Sequence, residues 1–313
     1  MSRHVLFLFM DGVGLGTDDP AVNPLAAARM PQLRKLLGGQ PLVASAAGFH
    51  GERASVLRLD AQMGVEGTPQ SATGQAALLT GKNVSQLIGG HYGPKPNPEI
   101  AAILEQGNLF SQVVARGGKA ALLNAYPPQY FANIESGRRL YSSIPLAADA
   151  AGLSLKTAED LVSGQAFSAD FTGAGWASQP NFPPAPIYNE RQAGQQLALT
   201  AGQYQLAWFD YWASDYAGHK QAMQQAVEMM EGFDGVLGGL LSAWDTSGDL
   251  IILTSDHGNM EDMSVRGHTR NPVPGLLIGP DEARRQAADR LTDLTDLAPF
   301  LLDFLFGPDR GGA

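Results

Sequence analysis

The chain contains no cysteine. That excludes thiolate metal sites, disulfides and thiol catalysis, and leaves the redox compartment open. Basic residues are scarce: 21 Lys and Arg stand against 31 Asp and Glu, for a formal net charge of −10. Recognition of a nucleic-acid backbone needs a basic face, so no nucleic-acid-binding surface is expected. Bound cations would offset part of the negative charge. No apolar run reaches the length of a membrane span. The opening Met1-Ser2-Arg3-His4, followed by Val5 to Met10, is too short for a signal h-region with a cleavage site. These absences lead to the expectation of a cytoplasmic protein with no membrane association. What is present is a 313-residue chain of 44% hydrophobic content, enough for one substantial core and a smaller appendage.

Two apolar runs end in acids. Val5-Leu6-Phe7-Leu8-Phe9-Met10 reads as a central parallel strand, apolar on both faces, and stops at Asp11-Gly12. Gly12, Gly14 and Gly16 do not make a dinucleotide fingerprint. Asp-Gly is also a common turn pair, so Asp11 is either a turn residue or a carboxylate presented at a strand end. The run Asp249-Leu250-Ile251-Ile252-Leu253 leads into Thr254-Ser255-Asp256-His257-Gly258-Asn259, and His268 follows eleven residues after His257. One acid with two imidazoles is an ordinary donor set for a divalent transition metal. The plainer alternative is a turn after a core strand.

A third apolar run, Gln205 to Phe209, leads into Asp210-Tyr211-Trp212-Ala213-Ser214-Asp215-Tyr216-Ala217-Gly218-His219. Asp215 and His219 are four apart and would share a face on a helical turn. The next helix, 220 to about 243, carries Met223, Val227, Met230, Phe233 and Leu237 at helical spacing, which is core packing. Between the runs, Pro69 stops any helix before it, and Ser71-Ala72-Thr73-Gly74-Gln75-Ala76-Ala77-Leu78-Leu79 favours one after it. Ser71 is then a hydroxyl at a helix N-terminus, where free N–H groups favour an oxyanion. Ser is equally a preferred N-cap with no chemistry.

Residues 21–37 read as one helix, with Leu25, Met30, Leu33, Leu36 and Leu37 on one side and Gly38-Gly39 as its end. Residues 83 to about 191 are rich in Pro and Gly. They include a helix at Leu109 to Ala115, a core strand at Lys119 to Asn124 and a capping box at Thr157-Ala158-Glu159-Asp160. The segment reads as a cap over the acid-bearing face. His91, Lys95, Tyr126, Arg139 and Trp176 are its candidate substrate contacts, each also explicable as an ordinary packing or surface residue.

Ser71, ten residues before Gly81 of Leu-Leu-Thr-Gly, resembles the nucleophile helix of the alkaline phosphatase superfamily. That superfamily includes nucleotide pyrophosphatases, arylsulfatases and cofactor-independent phosphoglycerate mutases. Ser71-Ala72-Thr73-Gly74-Gln75 is similar to the mutases' Ser-x-x-Gly-His, with Gln in place of His. Thr73 and Gln75 depart from the sulfatase motif, which carries Pro or Ala at the first of these places and Arg at the second. An unmodified serine is therefore expected. The resemblance covers roughly residues 1–82 and 204–305 and is strengthened by Asp256-His257-Gly258-Asn259 and His268-Thr269-Arg270-Asn271-Pro272-Val273-Pro274.

The resemblance implies two divalent metal ions, Zn2+ favoured and Mn2+ the alternative. One would be held by Asp215, His219 and His268, the other by Asp11, Ser71, Asp256 and His257. It further implies a phosphoester hydrolase acting on small-molecule monoesters or diesters through a phosphoseryl intermediate on Ser71. A small phosphomutase of the phosphoglycerate mutase or phosphopentomutase type is the alternative, ahead of a sulfatase or a non-catalytic metal-binding module. The mutases carry a large second domain rich in Arg and Lys; the middle segment here is about half that size and poor in basic residues, which favours water as the final acceptor. The expected fold is α/β, a mainly parallel central sheet sandwiched by helices. Strands are placed near 4–10, 119–124, 204–209, 249–254 and 274–278, and a helix from Leu294 to Phe306. The chain reads as one domain with its core in 1–82 and 192–313 and the cap at about 83–191.

Overall fold

Apolar side chains on both faces of Val5–Met10 require cover on both sides, and this strand, β1, lies at the middle of the sheet with all six residues buried. A computed structural model describes residues 3–307. Five further strands follow: β2 (Ala54–Leu59), β3 (Ala120–Leu122), β4 (Leu206–Tyr211), β5 (Leu250–Thr254) and β6 (Val273–Ile278). Their order across the sheet is β2-β6-β5-β1-β4-β3. β1 pairs in parallel with β4 and β5, and β3 in parallel with β4. β6 is antiparallel to β5 and to β2, so β2 regains the direction of the other four. The sheet is mixed, with only β6 reversed.

Alternate residues of β1 enter opposite layers. Val5, Phe7 and Phe9 join a core with Ala72, Ala76 and Leu79 of the helix Ser71–Thr80. Leu6, Leu8 and Met10 join another with Met230, Phe233 and Leu237 of the helix Met223–Ala243. Phe7 stacks on Trp208 of β4 with ring centroids 3.7 Å apart. Full burial of each such side chain is worth roughly 1.5–3 kcal/mol. Met223–Ala243 packs against Glu190–Ala201 through glycines: a Cβ on Gly194 would lie 1.9 Å from the carbonyl of Val236, and one on Gly239 2.1 Å from that of Arg191.

The single helix expected over 21–37 is two, Pro24–Ala27 and Pro31–Leu36. Ala28 is extended, with φ −66° and ψ 144°, and Met30 precedes Pro31, whose ring disfavours the helical region in the residue before it. β2 was not anticipated either, because Ser55 and Arg58 interrupt its apolar run. The helix Leu109–Ala115 and the capping box of Thr157 with Asp160 lie where the sequence places them. The C-terminal helix begins as a 3-10 turn, Leu294–Asp296, before Leu297–Phe306.

Within the middle segment, Pro98–Gln106, Leu109–Ala115 and Ser143–Ala150 share the core of the Ser71 helix, and β3 extends the sheet. Ala158, Leu161 and Trp176 form a small separate apolar cluster. Among the described residues no helix is long and apolar enough to cross a membrane.

Candidate metal centre

Parallel strands deliver their following residues to one edge of the sheet, the usual ligand edge of an α/β fold. β1 runs out into Asp11, β5 into Asp256 and His257, and β4 into the helix Ala213–His219, which carries Asp215 and His219 on one face. The register pairs Phe9 with both Asp210 and Thr254, so all three strands end level.

The seven residues singled out as ligands or nucleophile gather there in two touching groups. In one, His219 Nε2 lies 3.2 Å from Asp215 Oδ2 and 3.3 Å from His268 Nε2, and His268 Nε2 lies 3.7 Å from Asp215 Oδ1. In the other, Ser71 Oγ lies 3.0 Å from His257 Nε2, which is 3.5 Å from both Asp11 Oδ1 and Asp256 Oδ2. The His257 and His268 rings stack between the groups, with centroids 3.6 Å apart. Asp215 stands close to both groups: ligand atoms of Asp11, Asp215 and His257 also fall within 4.8 Å of one another. The resemblance implies a place for it in one group alone.

Ser71 is the first residue of its helix, after Gln70, and its hydroxyl meets His257 instead of capping the helix. The plain N-cap reading therefore does not hold. Gly74 lets the helix approach the Asp256 loop, since a Cβ there would lie 2.7 Å from the Asp256 carbonyl. Gly12 does the same for Asp215, whose Oδ1 would lie 2.5 Å from an added Cβ.

Two of the three imidazoles are oriented by carbonyls. His268 Nδ1 donates to the Pro69 carbonyl at 2.9 Å, which leaves the Nε2 lone pair facing His219. His257 Nδ1 lies 3.3 Å from the Gly258 carbonyl, its Nε2 facing Ser71. Burial first, and His268 second, lower the His257 pKa to about 3, so this ring stays neutral. Burial, then Asp256 and Asp215, raise the Asp11 carboxyl well above its ordinary range; burial and Asp215 also raise Asp256.

Asp11 Oδ1 and Asn259 Oδ1 are buried without hydrogen-bond partners among the described residues. Crowded carboxylates and imidazole lone pairs aimed at a shared space repel one another, and a divalent cation relieves that repulsion. The donor set is mixed N and O, which suits zinc or manganese. The residues present therefore fit metal ions.

Four residues of the centre were not read from the sequence. Asn259 Nδ2 donates to Asp215 Oδ1 at 2.6 Å, and Gln75 Nε2 to Asp256 Oδ2 at 3.0 Å. Gln75 is one turn beyond Ser71, a spacing that would have placed it on the same face. Asp210 is buried, its Oδ1 has no hydrogen-bond partner among the described residues, and burial, then Asp256, push its carboxyl up to about 7. It ends an apolar strand as Asp11 does, so the same signal marks it. Glu261 is fully buried, and nothing in its spacing singles it out.

The candidate substrate contacts divide. His91 ties loops together, with Nδ1 3.0 Å from Ser85 Oγ and Nε2 3.2 Å from the Val65 carbonyl. Trp176 donates to the Pro183 carbonyl at 2.7 Å within the small apolar cluster. Gly93 passes over the nucleophile, where a Cβ would lie 3.2 Å from Ser71 N. Two residues on, Lys95 Nζ donates to the Leu140 carbonyl at 3.0 Å. Burial and then Arg139 lower the Lys95 pKa. Arg139 lies 4.8 Å over the ring of Tyr130, which stacks on Tyr126 at 4.3 Å. A cleft of about 330 Å³ opens beside Tyr126, lined also by Phe131, Thr157 and Glu159.

Residues 188–307 match the Metalloenzyme superfamily. Over 121 residues the chain is 34% identical to the 2,3-bisphosphoglycerate-independent phosphoglycerate mutase of Syntrophotalea carbinolica, covering 37% of this chain and 23% of that one. The mutase of the same name from Halobacterium salinarum is 34% identical over 141 residues, covering 41% and 28%. The chain thus spans about a quarter of the length of these curated relatives. Among solved structures, the PH0037 protein from Pyrococcus horikoshii superimposes with a TM-score of 0.59 at 16% identity, covering 100% of this chain and 99% of that one. Alkaline phosphatase from the Antarctic bacterium TAB5 gives 0.53 at 13%, covering 97% and 98%. The fold is alkaline phosphatase-like, and the resemblance carried by the motifs is borne out.

Proposed function

We propose that this chain is a two-metal phosphoester hydrolase of the alkaline phosphatase superfamily, with Ser71 as its nucleophile. The observation that carries the reading is the place of Ser71 Oγ, buried at a helix N-terminus and 3.0 Å from His257 Nε2. Asp215, His219 and His268 would hold one divalent ion, and Asp11, Ser71, Asp256 and His257 the other. When bound, such ions neutralise the carboxylates, lower the pKa of the serine hydroxyl and stabilise charge on the transferring phosphoryl group.

The chain's own residues supply the rest. Ser71 Oγ attacks phosphorus in line with the departing alcohol; the new bond is Oγ–P, the broken one is P–O of the ester, and the proton lost by the serine balances the one the alcohol takes up. The first turn of the Ser71 helix favours the negative charge on that group. Water then attacks phosphorus, Ser71 Oγ departs and regains its proton, and the product is inorganic phosphate from a monoester or a phosphomonoester from a diester. Lys95, Tyr126 and Arg139 would meet the part of the substrate that leaves. Lys95, two residues after the Gly93 backbone that crosses Ser71, and its electrostatic contact with Arg139 support this.

The matched curated relatives are named mutases, which favours a second reading: a phosphomutase, in which a substrate hydroxyl replaces water as the acceptor. Chromogenic phosphomonoesters and phosphodiesters, assayed with Zn2+ or Mn2+, separate the two. Chromogenic alcohol released by the wild type, with free phosphate from the monoester or a phosphomonoester from the diester, and absent with Ser71→Ala supports hydrolysis. Interconversion of isomeric sugar phosphates without phosphate release supports the mutase. If Ser71→Ala turns over either substrate as fast as the wild type, the nucleophile assignment is wrong.

A further inference from the structure

We infer that Glu261 is the positioning residue that sets the two halves of the metal centre against each other. The inference rests on the metal-centre reading above. Glu261 is fully buried and accepts from four donors. Oε2 takes the backbone N–H of Gly14 at 2.9 Å and of Asn259 at 2.7 Å; Oε1 takes Asn271 Nδ2 at 3.0 Å and the Thr269 hydroxyl.

Every donor lies within three residues of a ligand-bearing position. Gly14 is on the loop that leaves Asp11. Asn259 follows Asp256 and His257, and its own Nδ2 fixes Asp215 at 2.6 Å. Thr269 directly follows His268, whose Nδ1 reaches across to Pro69 before the Ser71 helix. One carboxylate therefore ties together the loops carrying Asp11, Asp256, His257 and His268, and through Asn259 it holds Asp215.

The surrounding backbone is cut to fit it. A Cβ on Gly14 would lie 2.5 Å from Glu261 Oε1, one on Gly258 2.3 Å from the same oxygen, and one on Gly16 2.6 Å from the Glu261 carbonyl. Only a carboxylate satisfies four donors at once, because it accepts at both oxygens and donates from neither. An amide of the same shape would turn N–H groups toward two of them. Such supports of metal ligands govern affinity for the ion as well as stability.

The test compares wild type with Glu261→Gln after metal stripping. Zn2+ and Mn2+ binding is measured by calorimetry, and thermal midpoints are taken with and without ion. The variant is expected to bind the ions about 10–100-fold more weakly, with a smaller ion-induced rise in midpoint. Affinity and ion-induced rise equal to wild type overturn the inference, whatever happens to the stripped midpoint, because a purely structural role would lower both midpoints together. Should Glu261→Gln not fold, Thr269→Val removes one donor beside His268. It is expected to weaken ion binding in the same direction, and unchanged affinity there overturns the inference equally. A wild type that takes up neither ion overturns the metal-centre reading itself, a result distinct from equal binding by both proteins.

Discussion

Asp210 illustrates how one buried carboxylate couples to the rest of the centre. Its backbone is clasped by Asn124, which accepts from Asp210 N and donates to Asp210 O, both at 2.8 Å, while Oδ1 has no hydrogen-bond partner among the described residues. Burial, with Asp256 second, raises its pKa from 3.8 to about 7. A raised native pKa costs nothing below the unfolded value, because both states then hold the proton. As pH rises toward 7 the unfolded state has released a proton that the native state keeps, and stability falls. Asp210→Asn removes this penalty without changing size. The metal-free variant should therefore exceed metal-free wild type by about 1–3 kcal/mol at pH 8. The gain should shrink toward pH 5, as read from denaturant unfolding at both pH values. A gain independent of pH would mean that Asp210 is not the titrating group. At this scale the sequence was informative where residue type and strand end coincide: Asp11, Asp256 and His257 are all placed by the runs that precede them. Asp210 meets the same criterion, but Asp215, five residues on and four before His219, stands in the more recognisable ligand spacing.

Several close approaches between elements rest on glycine. Gly74 lies within the Ser71 helix, where alanine is ordinarily better by about 1 kcal/mol. A Cβ at Gly74 would meet the Asp256 carbonyl at 2.7 Å and Asp256 Cβ at 2.9 Å, neither of which can yield without shifting a strand-end loop. Gly74→Ala should therefore cost roughly 1–3 kcal/mol through overpacking and lower activity by moving Ser71 away from His257. Gly232, in the helix Met223–Ala243, has nothing within 4 Å of an added Cβ. Gly232→Ala should stabilise by about 0.5–1 kcal/mol and leave activity unchanged. Thermal unfolding and phosphate release on the two variants check the contrast, and equal effects would remove close packing as the explanation.

The same element-scale view explains what the sequence left hidden. Long apolar runs such as Leu250–Thr254 announce themselves, whereas β2 is interrupted by Ser55 and Arg58 and is recognisable only beside β6. The stripe over 21–37 has helical spacing, but Pro31 breaks it in two. Glu261 escaped because its importance comes from donors on three separate loops, a relation that no local spacing encodes.

For the whole molecule, the formal net charge of −10 and the convergence of Asp11, Asp215 and Asp256 set one problem. The fold concentrates negative charge at the ends of its central strands, and burial raises the pKa of Asp11 and Asp256. Without ions, raised carboxyl pKa values stabilise the native state least once pH exceeds them, so the metal-free thermal midpoint should fall between pH 5 and pH 8. Divalent ions bind the deprotonated carboxylates and neutral imidazoles and displace protons, so they act most strongly at the upper end of that range. At a hundredfold excess over Kd each site adds about 2.7 kcal/mol, which for a chain of this size raises the midpoint by several degrees. Stripping with a chelator should therefore lower the midpoint more at pH 8 than at pH 5, and Zn2+ or Mn2+ should restore it. Calorimetric scans at both pH values, with and without ion, measure the four midpoints. An ion-induced rise that is the same at pH 5 and pH 8, or that survives Asp215→Asn combined with Asp256→Asn, would place the ions somewhere other than between these carboxylates.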